Sequence, residues 1–409
     1  MDIREAALKL HKDNQGKLAV ISKVPLANRY DLSIAYTPGV AEPCKDIKAN
    51  KDLSFELTCR GNMVAVVSDG TRVLGLGDIG PEAAMPVMEG KSVLFKMFGD
   101  VDAVPICLDT KDPEKFIETV RLLQPSFAGI NLEDISSPKC YDIEDRLKEI
   151  MDIPVFHDDQ HGTAIAGVAA ILGALRLVKK DLKTAKIVVN GAGAAGSAIG
   201  RLLVVAGADN LIMMEVGGAL YDGMPNLNRV QAELARNTNK AKVTGKLAEV
   251  AVGADVLIGV SAPGSFTPEI IKSMNTDAVV IAMANPVPEI SYADAKAAGA
   301  RVAGTGRSDA PNQVNNVTVF PGVFRGAMDV RARQINEAMK LAATYAIANL
   351  IDDKDLRDDY VVPDAFDPRV APTVAAAVAK AAIETGVARI NVDPETIRAN
   401  TASRVKVGQ

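Results

Sequence analysis

The stretch Lys186 to Glu215, KIVVNGAGAAGSAIGRLLVVAGADNLIMME, constrains the fold more than any other part of the chain. It opens with Ile187 to Val189, a short β-branched run of the kind that lies buried on both faces of a parallel sheet. The run stops at Gly191-Ala192-Gly193-Ala194-Ala195-Gly196. Gly191 permits a tight turn, Gly193 lets a ligand's phosphates approach the backbone, and Gly196 lets the next helix lie close to the strand. Ala198 to Ala206 contains no proline and predicts a helix, whose start offers free N–H groups to an anion. Leu211 to Met214 then predicts a second strand ending at Glu215, where a carboxylate can accept from a ribose hydroxyl pair. Strand, glycine turn, helix, strand and acid in that order predict a dinucleotide-binding unit.

A glycine pattern alone is weak, because Gly75-Leu-Gly77-Asp-Ile-Gly80 has the same spacing. Ser68-Asp69-Gly70-Thr71 breaks the segment before it, and Pro81 and Pro86 follow where a long helix would be needed. This copy is expected to be a loop and not a second nucleotide site.

A chain of 409 residues is too long for one simple core, so two domains are expected. A net charge of −5 with dispersed basic residues gives no footprint for nucleic acid or an anionic membrane, which leaves small molecules as partners. The longest apolar run, Gly162 to Leu175, ends at Arg176, short of the roughly 20 residues that span a bilayer, and predicts a buried helix. The N-terminal residues mix charges of both signs without a signal-peptide core, so a cytoplasmic protein is expected. Cys44, Cys59, Cys107 and Cys140 form no CxxC pair and suggest free thiols.

Residues 1–160 predict a first α/β domain, with strands over Met63 to Val67, Val101 to Cys107 and Phe127 to Leu132 and a helix over Pro113 to Leu123. Residues 161–386 predict a doubly wound domain, continuing past Glu215 with strands Val256 to Val260, Val279 to Met283 and Arg301 to Ala303. Helices over Met328 to Ile351 and Pro372 to Thr385 are expected to close the fold, and 387–409 form a C-terminal tail without a legible pattern.

Two acidic pairs sit at the carboxyl ends of expected strands, where open α/β sheets place ligands: Glu133-Asp134 after Ala128 to Leu132, and Asp158-Asp159 after Pro154 to Phe156. Each pair alone is equally readable as loop charges or helix caps. If they converge, they repel one another unless a cation lies between them, and an all-oxygen set favours Mg²⁺ or Mn²⁺ over zinc. His157 and His161 suggest a histidine site, but the chain has only three histidines and no third one nearby. Lys91 is readable as an ordinary surface lysine; Asn285, Asn315 and Asn316 are turn formers or ligand hydrogen-bonders.

Tyr36-Thr-Pro-Gly-Val, the segment from Arg72 to Gly80, Asn131-Leu-Glu-Asp-Ile, Phe156-His-Asp-Asp-Gln-His-Gly-Thr-Ala, Ala284-Asn-Pro and Asn315-Asn-Val, in that order, resemble the malic enzymes in their small bacterial form. The resemblance runs from about residue 10 to residue 390 and implies an N-terminal substrate and metal domain followed by a Rossmann-type NAD(P)-binding domain. It implies Tyr36 as general acid, Lys91 as general base and Asp158 as the partner that orients Lys91. It further implies Glu133, Asp134 and Asp159 as metal ligands; Arg72, Asn285 and Asn316 as substrate ligands; and Asn315, with Asn285, near the nicotinamide. The implied activity is metal-dependent oxidative decarboxylation of L-malate to pyruvate and CO₂, by a homodimer or larger homo-oligomer. Malolactic enzyme and oxaloacetate decarboxylase are alternatives on the same scaffold, and a non-catalytic dinucleotide sensor is the remote one. Glu215-Val-Gly-Gly218 offers a carboxylate without an adjacent cation, so NAD is expected over NADP, with NADP possible.

Overall fold

In the computed structural model, residues 2–73 and 75–405 are described. The last four residues of the C-terminal tail, 406–409, lie outside them. Helices α1 (Ile3–Asn14), α2 (Arg29–Ala35), α3 (Ala41–Ala49) and α4 (Ser54–Leu57) precede the first strand, β1 (Met63–Ser68). Strands and helices then alternate through α5 (Pro81–Gly99), β2 (Asp102–Cys107), α6 (Pro113–Leu123), β3 (Gly129–Leu132), α7 (Lys139–Ile150) and β4 (Val155–His157), which runs straight into α8 (Asp158–Val178). All four strands are parallel in the order β2-β1-β3-β4. The order reverses between β1 and β3, so their carboxyl ends, with that of β4, open a crevice for ligands.

The second sheet is built from β5 (Ile187–Asn190), α9 (Ala194–Val205), β6 (Leu211–Glu215), β7 (Gly218–Ala219), α10 (Arg229–Asn237), α11 (Leu247–Val250), β8 (Val256–Gly259), α12 (Pro268–Ser273), β9 (Val279–Ala282), α13 (Tyr292–Ala297) and β10 (Val302–Thr305). Its order is β10-β9-β8-β5-β6-β7, with only β7 antiparallel. The switch point falls between β5 and β8, where the glycine turn begins. Side chains alternate across this sheet as a doubly covered strand requires: Ile187, Val189 and Ile258 join the core that continues into the first domain, while Val188 and Leu257 join a separate cluster on the other face.

The remaining helices are α14 (Phe320–Asp329), α15 (Glu337–Ala348), α16 (Val370–Glu384) and α17 (Pro394–Arg404). One continuous helix over Met328 to Ile351 is not what forms. Arg331 takes φ 48°, a left-handed conformation that interrupts the α geometry between α14 and α15. Helix α14 returns to the first sheet, with the Phe320 and Phe324 rings 4.6 and 5.3 Å from that of Phe95. Arg325 Nη1 also donates to Asn62 Oδ1 at 2.6 Å. The C-terminal tail carries α17, whose Ile397 and Thr401 are buried.

The loop expected at Gly75 to Gly80 is a loop, but the argument from the prolines fails: α5 runs unbroken from Pro81 and contains Pro86. Pro81 sits where the missing N–H has no helical partner to lose, whereas Pro86 lies inside the helix, which runs on although the Glu82 carbonyl is left without its helical N–H. Helix α8 is longer than its apolar run, beginning at Asp158, and it is buried along most of its length. A methyl at Gly167 would touch Ile258 and Met283 of the second domain, so α8 carries the end of one sheet onto the other.

Candidate active site

The carboxyl ends of β3 and β4 bring the two acidic pairs together, and α5 supplies a cation. Lys91 Nζ lies 2.5 Å from Asp158 Oδ2 and 2.9 Å from Glu133 Oε1, and all three side chains are buried. Asn316, just after the β10 loop, donates through Nδ2 to the same Asp158 oxygen. The Asp158 carboxylate occupies space that only a glycine four residues on could leave, since a Cβ at Gly162 would sit 1.8 Å from Asp158 Oδ1. Asp134 turns the chain with φ 55° and points its N–H at Asp159 Oδ2, 2.7 Å away.

Electrostatics follow from three buried carboxyl groups and the partly exposed Asp159 gathered around the Lys91 ammonium. Burial and the charges of Asp159, Asp158 and Asp134 push Glu133 well above the ordinary carboxylate range despite the pull of Lys91. Burial also raises Asp158 against the same pull, whereas Asp159 overcomes its burial through His157 and ends below its ordinary value. Burial works to depress Lys91, but Asp158 and Glu133 outweigh it and hold the amine above the ordinary lysine range. The lowered lysine pKa expected of a resting base is therefore absent from this arrangement. Lys91 is held as an ammonium here by Asp158 first and by Glu133 second.

A second line of polar groups fixes Asp159 from behind. Glu144 of α7 is buried and accepts from Gln160 Nε2 at 3.0 Å and His161 Nε2 at 2.8 Å, and it pairs with Lys148 at 2.6 Å. The Gln160 amide nitrogen also lies 2.9 Å from His157 Nδ1, and His157 Nε2 lies 3.2 Å from Asp159 Oδ2; burial pulls the His157 pKa down, but Asp159 outweighs it and holds the ring well above its ordinary value. Burial pushes the His161 pKa down to about 3, which suits a neutral ring donating to Glu144 and accepting from Lys340 Nζ at 3.3 Å. In the sequence His157 and His161 were legible as a rejected zinc site, and Gln160 only as part of the family motif. Glu144, on an ordinary amphipathic helix, carried no signal.

Among the described residues no three His, Cys, Asp or Glu side chains form an assembled cation cage. The donor chemistry nonetheless fits a hard divalent ion. Every candidate ligand is an oxygen, negative charge exceeds positive, and Asn131 Oδ1 and Asp158 Oδ1 are buried acceptors without a donor.

At the second switch point Gly191 has φ 114°, and a Cβ there would lie 2.7 Å from Val260 O. A Cβ at Gly196 would strike Gly191 O, whereas Gly193 faces open space just before Ala194 and Ala195 begin α9. Glu215 closes β6, its carboxylate taking Val216 N–H at 3.1 Å and Gln231 Nε2 at 3.2 Å. Folding also brings a cation that local sequence does not show, as Lys246 Nζ donates to Val216 O at 3.2 Å.

Other expected site residues stand apart from the Lys91 cluster. Tyr36 ends α2 and is 68% exposed. Arg72 is exposed, its backbone N–H bound to Asp134 O at 3.0 Å, and Asn285 is exposed on the loop after β9. Asn315 uses its side-chain oxygen to cap the short helix at Asn316–Thr318, accepting from Val317 N at 2.9 Å.

A substrate domain with a buried lysine–carboxylate centre, joined by one helix to a Rossmann-type domain, defines a dinucleotide-dependent oxidoreductase. The matching family models are "Malic enzyme, N-terminal domain" over residues 15–148 and "Malic enzyme, NAD binding domain" over residues 160–383. The chain belongs to the malic enzyme family of NAD(P)-dependent oxidoreductases. It is 58% identical to the bifunctional malic/malolactic enzyme of Bacillus subtilis over 100% of both chains. It is 54% identical to the NAD-dependent malic enzyme of Geobacillus stearothermophilus over 91% of this chain and 78% of that one. The malic enzyme from Pyrococcus horikoshii superposes with a TM-score of 0.95 at 47% identity, covering 99% of this chain and 96% of that one.

Proposed function

We propose that this chain oxidises L-malate and decarboxylates it to pyruvate and CO₂, reducing NAD, with Mg²⁺ or Mn²⁺ required. The observation that carries this reading is the burial of Lys91 between Asp158 and Glu133 at the mouth of the first sheet. Glu133, Asp134 and Asp159 would hold the cation, which when bound supplies charge stabilisation for oxygen anions that develop on the substrate. Gly191 to Gly196 would hold the phosphates of NAD and Glu215 its ribose, and NAD when bound would supply the hydride acceptor.

The chain's own residues supply binding and proton transfers. Arg72, Asn285 and Asn316 bind the substrate's carboxylates. Lys91 takes the C2 hydroxyl proton as hydride departs, and Asp158 keeps the amine aimed there. To act so, Lys91 must first give up its own extra proton, which Asp158 and Glu133 hold in place; a cation held by Glu133 would weaken that hold. After C4 leaves as CO₂, Tyr36 delivers a proton to C3. The exposed apolar side chains of the N-terminal segment, including Val20, Ile21, Leu26, Tyr30 and Ile34, support assembly with a second copy of the chain.

Release of lactate after internal recycling of NAD is the second reading, supported by the relative named for both activities. One assay separates the two. With malate, Mn²⁺ and NAD, the first reading expects one NADH per pyruvate. Lactate without net NADH selects the second, and no malate consumption refutes both.

A further inference from the structure

Glu289 is a carboxyl group that none of this chemistry uses. It is 0% exposed, and its hydrogen-bond donors are all neutral: Ser261 N–H at 2.7 Å and Ser261 Oγ at 3.2 Å on Oε1, and Ala284 N–H at 3.0 Å on Oε2. Ser261 follows β8 and Ala284 follows β9, so one side chain fastens the loops at the carboxyl ends of two neighbouring strands. Space is kept for it, because a Cβ at Gly259 would come within 2.6 Å of Glu289 Oε1.

The contacts continue in both directions. Ser261 Oγ accepts from Asn190 Nδ2 at 2.8 Å, and Asn190 is the last residue before the glycine turn at Gly191. On the other side Ala284 leads directly into Asn285. The Asn285-Pro286 backbone lies against the first domain so closely that a Cβ at Gly75 would sit 2.9 Å from Pro286 Cδ and 3.2 Å from Asn285 O. Gly75 belongs to the glycine pattern that binds no nucleotide in the reading above; in the fold it is a seat for the Asn285 loop.

We infer that Glu289 is a positioning residue that sets Asn285 at a fixed place relative to the glycine turn, and so sets substrate against cofactor. The inference rests on the proposed role of Asn285 as a substrate ligand. A carboxylate suits the position because three donors converge on it and an ionised carboxyl group only accepts. An amide of the same shape would turn an NH₂ group towards one of those donors and displace a loop.

The test is a double-mutant cycle on the full-length enzyme, comparing the parent, Glu289→Gln, Asn285→Ala and the double variant for malate KM, kcat and Tm. Glu289→Gln is expected to raise the malate KM about tenfold, the equivalent of one mis-satisfied buried hydrogen bond. In the double variant the malate KM should be no higher than in Asn285→Ala alone, since the carboxylate acts through Asn285. A parental KM in Glu289→Gln, or effects that multiply in the double variant, overturns the inference, as does a lowered Tm with unchanged KM. If Glu289→Gln does not fold, Glu289→Asp takes its place in the same cycle, because it keeps the charge but is too short to reach both loops. A parent enzyme that does not turn over malate overturns the functional reading and this inference with it. An active parent with an indifferent Glu289 variant overturns only the latter.

Discussion

Lys91→Met removes the one ammonium in the acidic cluster while keeping most of the volume of its stem. At an effective dielectric of 20, unit charges at the observed 2.5 and 2.9 Å attract by about 7 and about 6 kcal/mol, before desolvation and carboxylate repulsion take most of that back. Breaking a buried pair of this kind leaves a net loss of roughly 3–5 kcal/mol. The loss should depend on pH in a particular sense. Glu133 and Asp158 have folded pKa values raised above their unfolded ones, so each loses stability as pH rises from its unfolded value. Removing Lys91 raises them further. Lys91 itself is raised, so its stabilising contribution is complete below its ordinary 10.5 and disappears only above that. Because that contribution acts on ionised carboxylates, the parent and Lys91→Met should differ less at pH 4, close to the ordinary values of 3.8 for Asp158 and 4.5 for Glu133, than at pH 7.5. Urea unfolding of chelator-treated protein at pH 4, 5.5 and 7.5 reads the difference. Added Mn²⁺ should restore part of the lost stability in the variant by replacing the missing positive charge. Malate-dependent NADH formation should fall by about 10²- to 10⁴-fold, the usual contribution of a general base. A stability difference that is the same at pH 4 and 7.5 would refute the charge argument, and parental malate oxidation would refute the role of Lys91.

Tyr36→Phe should slow malate turnover yet still reduce oxaloacetate at C2, where no enol is protonated; parental rates on malate would remove Tyr36 from the chemistry. His157→Asn should weaken Mn²⁺ binding, measured by calorimetry, by about 10- to 100-fold, because Asp159 loses the group that aims it; unchanged affinity would show that Asp159 needs no such support. kcat/KM should be higher with NAD than with NADP, since a 2′-phosphate would meet Glu215, and Lys246→Ala should lower only the NADP value. A preference for NADP in the parent enzyme would contradict the assignment to Glu215.

The order of elements and the cofactor turn were legible from local pattern because they depend on local physics. A buried strand has to be apolar, a tight turn at φ 114° requires glycine at 191, and an acid that ends β6 falls at the sheet's carboxyl edge whatever surrounds it. The same applies to the acids after β3 and β4. Their meeting was a different matter. Glu133 and Asp158 come together only because β3 and β4 are hydrogen-bonded neighbours, and Lys91 reaches them from a helix that two prolines had argued against. Residue type alone could not say that Lys91 is buried, that its partners hold it protonated, or that Glu144 and Glu289 matter. Each of these depends on which groups lie within 3 Å across long sequence separations, and on how little water is left between them to screen their charge.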